Sequence, residues 1–336
     1  MSSRNQTILL ALTLSLVCLA IAGLALGSSF MPLDRVVSAV VGAGRRADSI
    51  IVWNIRMPRL LLALLAGACL GLAGACLQFA VRNALASPSI LGVTDGAAVG
   101  VLVFFLVFSD EANALTVSIR WQPVFAILGA GLAAALVAAL VATGRRHRND
   151  VVLYGIAVGA LASAVSVTLI IKGPIYQASQ ALIWMAGSVH EASWRDVTVL
   201  AAFATLTIPM TLLLSRPVGQ LSLDDASAAS TGVPVALVRF GLAAAAVLLT
   251  AVAVSFAGAI GFVGLIAPHM ARLLTRAQPL AMLTGSVLLG SAIVLAADLI
   301  ARLTFQPLEI PVGAMTAGIG APYFLWLLYR SGKPRA

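Results

Sequence analysis

A chain of 336 residues with 61% hydrophobic and only 10% charged side chains, and a mean hydropathy of +1.04, is not built to be a water-soluble globule. A helix crossing the hydrocarbon layer needs about 20 apolar residues, and this length holds many such runs. The net charge of +9 then points to loop arginines that fix orientation and meet lipid or acidic partners, rather than to a nucleic-acid binder.

The first apolar run, about residues 8–27, is too long for a signal-peptide core and has no convincing cleavage site, so an uncleaved first helix is expected. Next comes "IVWNIRMPRL" (51–60), where Arg56 and Arg59 flank a proline at the mouth of a second run, with Arg35, Arg45 and Arg46 upstream. That second run, 60–81, carries Gly67, Gly71 and Ala75 at small-xxx-small spacing with Gly74 beside them, which predicts close helix packing. Asn83, Ser87 and Pro88 suit a turn before the run at 92–108. Asp95 falls near the start of that run, where a carboxylate favours the positive helix end or interfacial water.

Runs at 122–143 and 151–171 are separated by the basic loop "GRRHRND". Those at 198–214 and 236–257 are separated by "LSLDDASAASTGVP" (221–234), which is polar and small. It predicts one or two short surface helices, with Asp225 as a cap and Gly232–Pro234 as a stop: either a solvated loop or a docking element. The segment at 259–270 is too short to cross alone and opens on "GAIGFVGLIAP", the pattern of a broken helix whose backbone protein or water must cover. Asp298 and Arg302, four apart in the run at 282–301, can pair on one helix face. Glu309 precedes the last run, 311–329. The expectation is an all-α polytopic membrane protein of about ten helices, a single transmembrane unit over 1–336 with no soluble domain.

With the N-terminus placed in the cytoplasm, inside loops hold twelve arginines and lysines and outside loops nine. The first outside loop alone, with Arg35, Arg45, Arg46, Arg56 and Arg59, supplies most of the exceptions to the positive-inside rule. That loop either refutes the topology or keeps its charge for a purpose.

Signals for chemistry are sparse. Cys18, Cys69 and Cys76 lie in apolar runs without metal or disulfide spacing. His147, His190 and His269 have no accompanying HExxH, GxSxG or paired carboxylates. Lys172 and Lys333 are the only lysines, and neither closes a GxxxxGK[ST] loop. No bound metal or cofactor is expected, and any use of ATP requires a nucleotide site, with its Mg, on another subunit. An ion-coupled transporter would have only Asp95 and Asp298 as intramembrane acids. A membrane enzyme would have to build on His190 or His269 without a partner acid.

Four stretches in order, "RMPRLLLALLAGACLGLAGACLQ", "RNALASPSILGV", "GAIGFVGLIAPHMAR" and "LEIPVGAMTAGIGAPYFLWLL", resemble the FecCD-type permease subunits of type II ABC importers for iron–siderophores, haem and cobalamin. The resemblance covers about residues 50–329 and implies the type II importer permease fold with ten helices and both termini cytoplasmic, in a bacterial inner membrane. It implies a second permease subunit, identical or paralogous, two cytoplasmic ATPase subunits, and a periplasmic or lipid-anchored substrate-binding protein. Catalysis would reside on the ATPases, not on this chain. Residue by residue, it makes Arg56, Arg59 and Arg302 an external cationic rim that docks acidic side chains of the binding protein. It makes residues 221–232 the coupling element, with Leu221, Leu223, Asp224, Asp225, Ala228 and Gly232, although Asp224 stands where the family commonly has glycine. It also suggests Ser163, Ser166, Thr168 and Met315 as pathway wall. "LIWMAGS" (182–188) is similar to the iron-chelate branch, which puts a ferric siderophore ahead of haem or cobalamin.

Overall fold

The computed structural model describes residues 2–27, 29–110, 114–143, 150–173, 175–221, 225–304 and 310–331. In chain order its helices are α1 (Ser3–Ala25), α2 (Leu33–Val40), α3 (Arg46–Ile50), α4 (Met57–Val81), α5 (Val93–Val107), α6 (Gln122–Thr143), α7 (Asp150–Lys172) and α8 (Ile175–Met185). They continue with α9 (Trp194–Leu213), α10 (Ser215–Gln220), α11 (Asp225–Ser230), α12 (Val235–Ala257), α13 (Val263–Thr275), α14 (Pro279–Thr304) and α15 (Val312–Ser331). Each of the ten apolar runs becomes a helix. Among the described residues seven helical stretches are long and apolar enough to cross a membrane, while α5 and α13 are shorter, at 15 and 13 residues.

Helix α4 is the hub, hydrophobic all round and packed on α14, α12, α13 and α9. Without a water-driven hydrophobic force between helices, packing must come from backbone proximity. A Cβ at Gly71 would collide with the carbonyl oxygen of Ser286, and one at Gly67 with that of Gly290, so the small-residue stripe seats α4 directly on α14. The Ser291 hydroxyl adds a bond to Leu64 O at 2.8 Å across the same contact. By contrast α1 is peripheral, with Leu10, Leu14, Val17 and Ile21 forming an exposed stripe suited to lipid.

The broken helix is present as expected. α12 ends at Ala257, Gly258 takes φ +69, and α13 begins after Phe262 at φ +64. The freed backbone is covered: Ser188 N–H donates to Ala257 O at 2.9 Å, and Ala259 N–H reaches Trp184 O at 3.4 Å. Protein therefore supplies the partners that lipid cannot.

Candidate docking and coupling sites

At the N-terminal end of α4 the chain makes a π-helical turn, Ile51–Arg56, with Met57 N–H reaching back five residues to Val52 O. Pro58 follows in the first turn of α4, where its missing N–H costs little. This entry carries Arg56 and Arg59 into the bundle. The family resemblance makes them, with Arg302, an external cationic rim. The structure does bring the three together, but buries them: 4%, 5% and 8% of their surface is exposed.

Burial of three cations demands partners, and the neighbourhood supplies them. Arg56 donates to the carbonyls of Leu24 (2.5 Å), Ala25 (3.0 Å) and Ser29 (2.5 Å), while Arg302 donates to Gly23 O at 3.2 Å. Those oxygens include the last carbonyls of α1, which have no intrahelical donor and sit at the negative end of its dipole. Arg59 forms a buried ion pair with Asp298, Nη2 to Oδ1 at 2.7 Å, and its Nε donates to the same carboxylate at 2.9 Å. Arg59 Nη1 also lies 2.9 Å from Nδ1 of the exposed His190. Asp298 and Arg302 do approach, at 3.7 Å, but the expected i, i+4 pair is the looser contact. Three guanidinium groups around one carboxylate leave the cluster at +2. It locks α1, α4 and α14 at one end and touches the α8–α9 connection.

Around this end stand a tryptophan pair and further arginines. Trp53 and Trp194 stack at 5.8 Å between centroids, and the Trp194 indole donates to Trp53 O at 2.8 Å. Arg45, Arg46 and Arg195 are exposed, while Arg35 is clamped to Asp48 by two bonds of 2.9 and 2.5 Å, which raises the Arg35 pKa.

The other end of α4 lies about 37 Å away, by the helical rise. There Arg82, in the left-handed conformation that terminates α4, donates from Nε to Leu221 O at 2.8 Å. The described residues of the polar segment 221–234 form one short helix, α11, with α10 just before the segment; Leu223 and Asp224 lie outside the described residues. Asp225 is the first residue of α11. Gly232, at φ +83, closes α11 through its N–H to Ala229 O at 2.9 Å, as the sequence pattern requires. Leu221 and Ala228 are buried, whereas Ser227, Ala229, Ser230 and Gly232 face out. The outward face, not Ala228, is what a partner would meet.

Of the suggested pathway residues, Ser163 and Thr168 lie on the open side of α7, Met315 is half-buried, and Ser166 is buried at 1%. Asp95, in the first turn of α5, accepts from Ser163 Oγ at 3.2 Å and so links α5 to α7. Among the described residues no group of His, Cys, Asp or Glu could hold a metal ion.

The sequence profile of the FecCD transport family matches residues 12–330. The chain is 41% identical over 324 residues to a probable siderophore transport system permease protein, YfhA, of Bacillus subtilis, covering 96% of this chain and 94% of the relative. It is 36% identical to the achromobactin transport system permease CbrC of Dickeya dadantii, with 92% and 87% covered. The vitamin B12 import permease BtuC of Escherichia coli is also 36% identical, with 84% and 85% covered. A solved inward-facing structure of a metal-chelate type ABC transporter superposes with a TM-score of 0.86 at 30% identity, over 97% of this chain and 99% of that one.

Proposed function

The chain belongs to the FecCD transport family, and from that premise we propose that it is the permease subunit of an importer for ferric siderophores, driven by ATP on separate subunits. The observation that carries this is the whole-length match, in sequence and in fold, to permeases of iron-chelate systems. Haem and cobalamin are the alternative cargoes, the latter because a vitamin B12 permease is nearly as similar.

In this reading the Arg56, Arg59 and Arg302 end faces outward and both termini face the cytoplasm. A loaded binding protein is drawn to the +2 cluster by its acidic side chains. Such charge complementarity raises the encounter rate more than the final affinity. At the opposite end the outward side chains of α11, with the segment from Leu221 to Gly232, seat on an ATPase subunit. Because α4 spans from one site to the other and is packed backbone-to-backbone on α14, it is the rigid element through which ATP-driven motion reaches the pathway. Ser163, Thr168 and Met315 form part of the wall that alternates in access. Two such permease subunits enclose the path, and selectivity rests on the binding protein.

The test is stimulation of ATP turnover. The chain is co-expressed with its ATPase, purified as a complex and placed in lipid nanodiscs. Addition of the binding protein loaded with ferric siderophore is expected to raise turnover above that with haem- or cobalamin-loaded protein. Failure to retain any ATPase on purification would overturn the permease reading. Stimulation by haem or cobalamin alone would overturn the cargo.

A further inference from the structure

We propose that α2 is an interfacial helix that lies in the headgroup layer of the membrane, at the end of the bundle where Arg56 sits, with its outward apolar stripe in the lipid.

The helix has three sectors rather than two. Val36 and Ala39 are buried against Ala25, Met31 and Val52, which fixes its inner side to the end of α1 and the π-helical turn. Asp34, Arg35 and Ser38 form a polar sector, tied down by the Arg35–Asp48 pair. The third sector, Leu33, Val37, Val40 and Val41, follows helical spacing and is left uncovered by the described residues: Val37 is 60% and Val41 75% exposed. Phe30 just before it is 71% exposed. Four aliphatic side chains on one stripe, adjoining a polar sector, are what a helix lying in a membrane interface requires.

Position sets the occupant. Helix α1, of 23 residues, is about 34 Å long, close to the roughly 30 Å hydrocarbon core, so its ends lie near the headgroups. Met31 N–H returns to Ala25 O at 3.0 Å, which keeps the start of α2 at the level of the end of α1. α2 packs beside α1, whose outward stripe of Leu10, Leu14, Val17 and Ile21 already faces lipid, so the two apolar surfaces belong to the same margin of the bundle. The Trp53 indole, at 38% exposure, donates to Ala39 O at 3.2 Å, which holds an interface-loving ring against the helix. Arg45 and Arg46, exposed after α2, supply positive charge suited to anionic headgroups. This inference rests on the membrane-spanning reading of the bundle and is independent of the cargo.

The test uses the assembled transporter in vesicles of phosphatidylethanolamine with phosphatidylglycerol. Cys18 is replaced by serine, Cys69 and Cys76 are buried, and nitroxide labels are placed singly through Leu33→Cys, Val37→Cys and Val40→Cys. Asp34→Cys reports the polar sector, and Glu191→Cys, on the exposed α8–α9 connection, serves as the aqueous reference. The expected result is an oxygen-to-nickel-chelate accessibility ratio several-fold higher at positions 33, 37 and 40 than at 34 and 191, unchanged when the binding protein is added. Ratios at the three stripe positions equal to that at Glu191→Cys would overturn the proposal. So would immobilisation of those labels on addition of the binding protein, which would make the stripe a protein-docking surface. Three independent stripe sites keep the test open if one variant fails to assemble, and stimulated ATP turnover of each variant reports separately on the permease reading.

Discussion

At the N-terminal end of α4, three arginines and one aspartate from two distant chain segments are buried together, whereas near its C-terminal end Asp225–Ser230 is a short helix closed by a local bond from Gly232 N–H to Ala229 O. The first region spends its charge inward, on the carbonyls of α1 and on Asp298, and so braces three helices before it can meet any partner. The second leaves Ser227, Ala229 and Ser230 outward. In the function proposed above, a change at the first end would act on stability and recognition together, while a change at the second would act on recognition alone.

The sharpest way to break this contrast is Asp298→Leu. It leaves Arg59 and Arg302 buried without their carboxylate, and loss of one partner of a buried pair costs about 3–5 kcal/mol. Thermal unfolding of the purified complex in nanodiscs should show a large drop in midpoint. The paired change Arg59→Met with Asp298→Leu should recover part of it, because an apolar pair replaces the ions. An unshifted midpoint for the single variant would refute the brace.

A smaller loss is expected from Arg56→Met. The Leu24 carbonyl loses its Arg56 donor and the Ala25 carbonyl keeps only Met31 N–H, a penalty of about 1–3 kcal/mol for a buried group left unpaired. Proteolysis or hydrogen exchange confined to the end of α1 would report it, with α14 protected as before.

The least change in stability belongs to the other end. Ala229→Arg places a long cation on the outward face of α11, where surface substitutions stay within about 0.5 kcal/mol. The unfolding midpoint should hold while co-purification with the ATPase falls. Retained ATPase and normal stimulated turnover would remove this face from the coupling site. Ala228→Arg would be a poor substitute, since Ala228 is buried and its failure would not separate folding from docking.

Much of the scaffold was legible in the apolar runs, because a membrane helix must satisfy its own backbone and therefore announces its length in sequence. The break after Ala257 showed as a glycine-rich interruption, and the close α4–α14 contact as Gly67 and Gly71, since both are local consequences of backbone geometry. The arginine cluster was legible only as membership. Arg56, Arg59 and Arg302 could be grouped, but Asp298 is 239 residues from Arg59, and no local pattern distinguishes that ion pair from the nearer Asp298–Arg302 spacing. Capping of α1 by Arg56 was equally hidden, because its acceptors are carbonyls, which every residue carries. The outward stripe of α2 did have a signal in Leu33, Val37, Val40 and Val41, a helical apolar pattern in a segment too short to cross a membrane.

The most direct test of the account is uptake itself. The permease, its ATPase and the external binding protein are reconstituted in liposomes, and entry of labelled ferric siderophore is followed with ATP or with a non-hydrolysable analogue enclosed. The account predicts accumulation only with hydrolysable ATP and wild-type α11, and little with Ala229→Arg. Equal uptake with the analogue, or by the permease without the ATPase, would contradict it.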